Sequence, residues 1–415
     1  MINIEKINQS ILWHYENYLL FPLYNITQNL RVKRMRNKNL INVLFIVTEV
    51  GAWKTKELYE AMLAHPRFKP TLGISMSLER PTEKINLISF LKTKQYTYID
   101  LDTDTFFQNQ SPDIIFYQKP YDWCYKSNLL FKNHLNSLFC HVHYAFHSNE
   151  TIWAINQPLY KLVWQQYFEN SMAANPQRLS MMEDHGKQVV VTGLPIQDQL
   201  MLPKTAFADP WKKQNKAKKR IIYAPHHTIG NQHLKGLALS SFLENCDVIL
   251  GLMHKYSDSV QWAFKPHPLL YGKLLSIWGK EKTDSYYDEW TNSENSQFED
   301  GAYDALFKYS DAMIHDCSSF TIEYHYTQNP VMFLTRNTGA ENTRNKFAQK
   351  AYNLHYIGTT NEQIENFIKD VINGIDPLKM ERTKFYKECL VPPYGKKACE
   401  NIINAILGIS EYKKL

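Results

Sequence analysis

The chain has 415 residues, with 47 lysines and arginines against 41 aspartates and glutamates, a net charge of +6, a hydrophobic fraction of 44% and 13% aromatic residues. That length exceeds what one core usually supports, so two domains of about 200 residues are expected, and the apolar content excludes disorder on a large scale. No run of about 18 apolar residues occurs, which excludes a membrane-spanning helix, and no cleavable signal peptide is visible.

Residues 1–39 read as a segment of their own. Ile7, Ile11, Leu12, Tyr15, Tyr18, Leu19 and Phe21 recur at near-helical spacing, with Trp13 among them, until Pro22 interrupts. Arg31, Lys33, Arg34, Arg36 and Lys38 follow without an intervening acid. The pattern fits a helix packed on a domain surface, or an amphipathic helix on an anionic membrane surface where each basic residue contributes roughly 1 kcal/mol.

From residue 40 strands and helices alternate. Strands are predicted at 41–47, 71–75, 96–99, 114–117, 138–146 and 189–192, with a helix at 55–63 after the first. Such alternation implies parallel sheets with crossover helices. Asp100, Asp102 and Asp104 follow the third strand; this spacing suits ordinary turn chemistry, or a divalent ion on a nucleotide diphosphate. In the strand at 138–146, His141 and His143 share a face with Ala145, and His147 falls at or past its end. His143 and His147 are therefore candidates for a general base acting on an acceptor hydroxyl, with satisfied core or rim histidines as the alternative. Two histidines on one strand face without a carboxylate pair are too little for a metal site, so none is expected.

After the turn Gly193-Leu194-Pro195 comes a polar linker, 196–219, carrying Lys212, Lys213, Lys216, Lys218 and Lys219. Neither basic cluster has aromatic interleaving or finger spacing, so nucleic acid is not the expected partner; anionic lipid or a phosphorylated substrate fits better. A second alternating series follows, with strands at 220–223, 247–250, 262–264, 312–314 and 330–334. Cys124, Cys140, Cys246, Cys317, Cys389 and Cys399 have no C-x-x-C spacing and read as free thiols of a reducing, cytoplasmic compartment.

Three strand ends of the second series carry polar groups. The strand at 220–223 runs into Ala224-Pro225-His226-His227, and that at 262–264 into Lys265-Pro266-His267-Pro268. Proline cannot continue a central ladder, so the chain leaves the sheet where each histidine is displayed. The strand at 312–314 ends in His315-Asp316-Cys317-Ser318-Ser319 at the start of a helix. Hydroxyls at a helix start can cap it or approach an anion. In open parallel sheets ligands bind beyond the carboxyl ends of the strands, so the three ends are expected to share one crevice that seats a diphosphate.

The motifs Val191-Thr192-Gly193-Leu194-Pro195, Tyr223-Ala224-Pro225-His226-His227, Lys265-Pro266-His267-Pro268, Ser310-Asp311-Ala312-Met313-Ile314-His315-Asp316-Cys317-Ser318-Ser319-Phe320, Glu323-Tyr324 and Pro330-Val331-Met332-Phe333-Leu334, in this order, resemble the CDP-glycerol glycerophosphotransferase family from about residue 113 onward. The resemblance implies an α/β GT-B fold of two Rossmann-like, doubly wound domains facing a cleft. Residues 40–195 would form the acceptor domain and 220–415 the nucleotide-donor domain. It implies transfer of glycerol phosphate from CDP-glycerol to a hydroxyl of a cell-wall or capsular polymer, or of a lipid-linked acceptor, with release of CMP and no cofactor. His226, His227, His267, Asp316, Ser318 and Ser319 would hold the CDP diphosphate, and Glu323 would reach ribose hydroxyls. The family's Trp-His-Gly-Thr base segment is replaced by Val142-His143-Tyr144-Ala145, so His143 has His147 as a rival. The protein would work in the cytoplasm, on the inner face of the membrane if the N-terminal segment binds lipid. A GT-B glycosyltransferase using a nucleotide sugar, and a non-catalytic membrane-attached scaffold, are the alternative readings.

Overall fold

Runs of β-branched and aromatic residues in the first half form seven strands: β1 (Ile41–Val47), β2 (Phe68–Ile74), β3 (Ile99–Asp100), β4 (Ile114–Tyr117), β5 (Leu138–Val142), β6 (Val163–Phe168) and β7 (Val189–Val191). They pair in the order β3-β2-β1-β4-β5-β6-β7, every pair parallel. The second half forms β8 (Lys219–Ala224), β9 (Val260–Phe264), β10 (Ser296–Phe298), β11 (Ala312–His315), β12 (Val331–Leu334) and β13 (Tyr356–Gly358). Their order is β10-β9-β8-β11-β12-β13, again all parallel. Each sheet thus follows the doubly wound 3-2-1-4-5-6 order, the first with one further edge strand. The computed structural model describes residues 4–150, 155–230, 240–335 and 344–409.

Helices cover both faces of a parallel sheet, so its central strands are apolar on both sides. In β8, Ile221 and Tyr223 enter a core with Trp262, Phe264 and Trp290, while Ile222 and Ala224 face a second core with Trp211, Met313 and Tyr324. In β1, Leu44 and Ile46 pack with Tyr117 and Phe139, and Phe45 stacks on Phe116 at 4.8 Å from the other side.

Several elements differ from the sequence expectation. Residues 247–250 lie inside the helix Phe242–Lys255, where Phe242, Cys246, Ile249 and Met253 bury one face at helical spacing. The strand predicted at 138–146 stops at Val142, after a register shift at Phe139/Cys140. The strand predicted at 96–99 is the two-residue β3. Strand β6 went unforeseen because buried Gln165 and Gln166 break its apolar run, and β10 and β13 because they are three-residue edge strands. Pro22 does not end the first helix. The chain stays helical from Ile4 to Ile26, with a π-helical turn over Glu16–Leu20 directly before the proline; such a turn re-frames the backbone bonds that proline cannot make.

The chain divides into two units. The first holds the described residues up to Ala145, 155–198 and 392–409; the second holds Phe146–Glu150 and Gln199–Val391. The last segment is tied to the first unit by named bonds: Asp198 accepts from the Ala398 and Cys399 N–H groups at 2.7 and 2.9 Å, and Asn401 donates to the Thr192 carbonyl at 2.9 Å. Gly193 sits at φ +82° against it, with space for a Cβ only 2.8 Å from the Ala398 methyl. The N-terminal helices pack on the same unit through Phe21 and Tyr24, the latter donating its hydroxyl to the Ser137 carbonyl at 2.9 Å. Their other side exposes Ile11, Tyr15, Leu19, Leu23 and Ile26; the Ile7 side chain lies outside the described residues.

Candidate active site

In the second sheet β8 is flanked by β9 and β11, with Tyr223 beside Phe264 and Ala224 beside His315. Strand order reverses between β8 and β11, the switch point at which doubly wound folds bind ligands. The three polar strand ends therefore emerge side by side. Pro225 turns the chain after β8, and its carbonyl accepts from the His267 N–H at 2.9 Å, which locks the β9 loop to the β8 loop. As a result the His226, His227 and His267 rings cluster with centroids 4.0–5.1 Å apart. All three are half-buried.

Two of the rings have defined partners. His267 Nδ1 accepts from the Leu269 N–H at 3.2 Å, so the neutral ring carries its proton on Nε2. His226 pairs through Nδ1 with the Thr228 hydroxyl at 3.0 Å. Burial, then the neighbouring His227 and His267, push the His226 pKa well below the ordinary value, so it is a neutral ring at pH 7. Among the described residues these three form the one group of histidine, cysteine or acidic side chains whose donor atoms all lie within 4.8 Å. It is the place where a soft cation would sit if one were bound.

Asp316 is fully buried at the end of β11. Its carboxylate accepts from the His226 N–H at 2.5 Å and from the Ser241 N–H and hydroxyl at 2.6 and 3.1 Å. Ser241 precedes the helix Phe242–Lys255, so the acid also neutralises the positive end of that helix. Ser318 is exposed and Ser319 half-buried, and Ser319 makes no side-chain cap bond. The helix they lead into, Phe320–Glu323, is a single turn that continues as the 3₁₀ turn Tyr324–Thr327. One turn carries little macrodipole, so any grip on an anion here comes from the hydroxyls and local N–H groups. Glu323 is buried one turn further on.

A chain of neutral histidines holds this loop from behind, unseen in the sequence. His315 Nδ1 accepts from the Cys317 N–H at 3.1 Å, His315 Nε2 meets His355 Nε2 at 3.2 Å, and His355 Nδ1 faces the Ala351 carbonyl at 3.0 Å. The directions fit one tautomer each, with His315 donating to His355. His325 Nε2 reaches the same carbonyl at 2.9 Å. Burial pulls the pKa of His315 and His325 down to about 3. Cys317 is buried, and its thiol is pushed well up by burial and by Asp316, which makes it a filler rather than a nucleophile.

In the first unit the predicted residues separate. His143 lies just past β5, half-buried, with Nδ1 2.6 Å from the Ala145 carbonyl and its ring on Tyr144. His147 is buried and belongs to the second unit, where its carbonyl accepts from Asn345 at 2.6 Å. The aspartates after β3 are engaged by side chains: Lys84 bonds both Asp100 and Asp102 at 2.7 Å, and Ser75 and Lys126 also reach Asp102. Burial opposes ionisation of Asp102, yet these partners outweigh it and hold its pKa at about 2. The pair is a salt-bridged turn. At this unit's own switch point, between β1 and β4, Glu49 is buried against Lys119 and Arg80 at 2.7 and 2.9 Å, and Gln118 bonds the Thr48 N–H and Glu49 carbonyl. Sequence reasoning passed over this network, although Gln118-Lys119-Pro120 repeats the strand-then-proline pattern of the second half.

The basic clusters are largely paired. Arg31 lies over the Tyr24 ring at 3.9 Å, Arg36 donates to the Ile406 carbonyl at 2.9 Å and Lys38 pairs with Asp113 at 2.6 Å, leaving Lys33 and Arg34 exposed. In the second cluster Lys212 bonds three backbone carbonyls, Lys216 pairs with Asp258 and Arg220 with Asp209.

Two parallel doubly wound sheets with flanking helices, the second carrying polar groups at three adjoining strand ends, define a GT-B-like α/β enzyme. Solved structures share this fold: a variant of the wall teichoic acid polymerase TagF (14% identity, 98% of each chain, TM-score 0.55), the S. aureus MnaA–UDP complex (16%, 88% of this chain and 96% of that one, 0.56) and the Neisseria meningitidis UDP-GlcNAc 2-epimerase bound to UDP-GlcNAc (14%, 89% and 99%, 0.54). No curated protein sequence matches the chain. Residues 160–408 match the family described as CDP-Glycerol:Poly(glycerophosphate) glycerophosphotransferase, and the chain belongs to that family. It is a transferase of the glycerophosphotransferase type, as the motif order implied.

Proposed function

We propose that the second unit binds CDP-glycerol at the ends of β8, β9 and β11 and that the enzyme transfers its glycerol phosphate to a hydroxyl of a cell-wall or capsular polymer, or of a lipid-linked glycan. The observation that carries this reading is the convergence of His226, His227 and His267 at the switch point, beside the Ser318/Ser319 loop. The acceptor oxygen attacks the phosphorus that bears glycerol, the bond to the bridging oxygen breaks, and CMP leaves with the electron pair. His267 and His227 donate to phosphate oxygens, and the Ser318 and Ser319 hydroxyls complete the seat. Asp316 acts by positioning the His226 loop, and Glu323 serves the ribose. Such chemistry asks the protein for alignment and charge stabilisation more than for covalent steps. The acceptor proton passes to His143, whose half-exposed ring suits the task better than buried His147. Six buried free cysteines fit a reducing compartment.

No helix of the described residues is long and apolar enough to cross a membrane. The exposed stripe Ile11, Tyr15, Leu19, Leu23 and Ile26 supports a peripheral seat on an anionic leaflet. The reaction is tested by offering the enzyme CDP-glycerol, CDP-ribitol and UDP- and GDP-sugars with a glycan acceptor and identifying the released nucleotide by mass spectrometry. CMP from CDP-glycerol is expected; UDP or GDP would overturn the phosphotransfer reading in favour of glycosyl transfer.

A further inference from the structure

A cavity of the first unit lies on the side where β6 and β7 begin, away from the carboxyl ends of the strands. It encloses about 450 Å³ between the N-terminal helix, around Trp13 and Tyr18, and the segment 155–188. Aromatic rings form part of its wall: Trp13 and Tyr18 are in edge contact at 5.9 Å, and Phe21 and Tyr160 line it as well. The polar lining carries little net charge of its own, because Lys161 is bonded to Asn17 at 2.8 Å and paired with Glu183 at 3.5 Å. Asp184 is engaged by the Gly186 and Gln188 N–H groups at 3.2 and 3.0 Å, which fixes the turn and with it Gln188. Gln188 Oε1 is buried and has no hydrogen-bond partner. A buried acceptor of this kind is satisfied by a donor the protein does not supply, a water or a ligand hydroxyl.

A phosphate-rich ligand would need uncommitted cations, which this cavity lacks. A lipid tail would not satisfy a buried amide oxygen. A saccharide satisfies both walls, with apolar C–H faces for the rings and hydroxyl donors for Gln188. We infer that this cavity binds a neutral sugar ring of the acceptor, beside the exposed apolar stripe. The inference rests on the transferase reading only for the word acceptor; the sugar site itself stands on the cavity.

The test uses the full-length protein and two soluble probes, chitobiose and octyl β-D-glucoside below its micelle concentration, with saturation-transfer NMR and Trp fluorescence. Saturable binding that Trp13→Ala and Gln188→Leu each weaken by about tenfold, the loss of one ring or hydrogen-bond partner, is the expected result. Tyr18→Ala, at an exposed position, gives the same loss without touching the core. CDP-glycerol binding is followed in the same samples and is expected to persist. Absence of sugar binding while CDP-glycerol still binds would overturn the inference and leave the transferase reading intact. So would sugar binding that ignores all three substitutions, or phosphatidylglycerol vesicles bound through Trp13 with no sugar bound.

Discussion

A donor hydrogen bond aimed at developing phosphate charge is worth roughly 10²–10³ in turnover when removed. Under the proposed mechanism His267→Ala and Ser318→Ala therefore lower kcat by about that factor while circular dichroism and thermal melting stay close to wild type, since neither side chain fills a core. Near-full activity in either purified variant would sink the assignment. Asp316→Asn should behave differently. Its amide would turn an N–H toward an existing donor, breaking one charged hydrogen bond worth about 1.5–3 kcal/mol. Stability and kcat are then expected to fall together, which calorimetry beside turnover measures; a pure kcat loss with unchanged melting would instead put the carboxylate on the substrate. These residues were all named from sequence, His267 because proline after an apolar run marks where a chain leaves a sheet, and Asp316 and Ser318 because an apolar run there ends in an acid and hydroxyls at a helix start. Their division of labour was not legible there, since it depends on which N–H groups Asp316 meets from Ser241, 75 residues away.

The strand-end loop after β11 is braced by His315 and His355, and the two bonds in which a ring nitrogen accepts, Cys317 N–H to His315 and His315 to His355, exist only while the accepting ring is neutral. Their surroundings, with His325, give a signed pH dependence. Burial holds His315 and His325 at about 3 against an ordinary 6.5, so the unfolded chain binds more protons than the folded one below pH 6.5. The stability these groups contribute is complete above pH 6.5 and is lost progressively as pH falls toward 3. Melting temperature should drop steadily from pH 7 to 5, and His325→Gln, whose amide can still reach the Ala351 carbonyl, should flatten that slope. A slope unchanged in this variant would exclude His325 as a contributor. At this scale β1 and β4, β-branched and aromatic apolar runs, were readable residue for residue. Residues 247–250 were not, because a short apolar run looks alike in a strand and in one face of a helix. Nor could sequence order show that 392–409 returns to the first unit: that depends on Asp198 capping the Ala398 turn, a pairing across 200 residues.

The N-terminal helices expose an apolar surface. Phe21 and Tyr24 bury one side in the first unit, whereas Tyr18, Ile26 and Leu30 remain 71%, 77% and 69% exposed. The sequence offered a packed helix or a membrane helix as alternatives, and the packing half of that choice is met while the outer stripe stays uncovered. Because Arg31, Arg36 and Lys38 are committed to Tyr24, Ile406 and Asp113, only Lys33 and Arg34 of the basic run are left to face lipid. Two such charges contribute about 1 kcal/mol each near an anionic surface, or roughly 30-fold in binding at low salt. Fully buried apolar side chains contribute about 1.5–3 kcal/mol each, so the stripe outweighs the charges. In vesicle flotation with phosphatidylglycerol, replacing Leu19, Leu23 and Ile26 by serine should reduce binding by at least about 10²-fold at any ionic strength. Lys33→Gln with Arg34→Gln should reduce it only at low salt. Equal flotation of the serine variant and the wild type would mean that the stripe meets something other than a membrane, and the peripheral seat would fall with it.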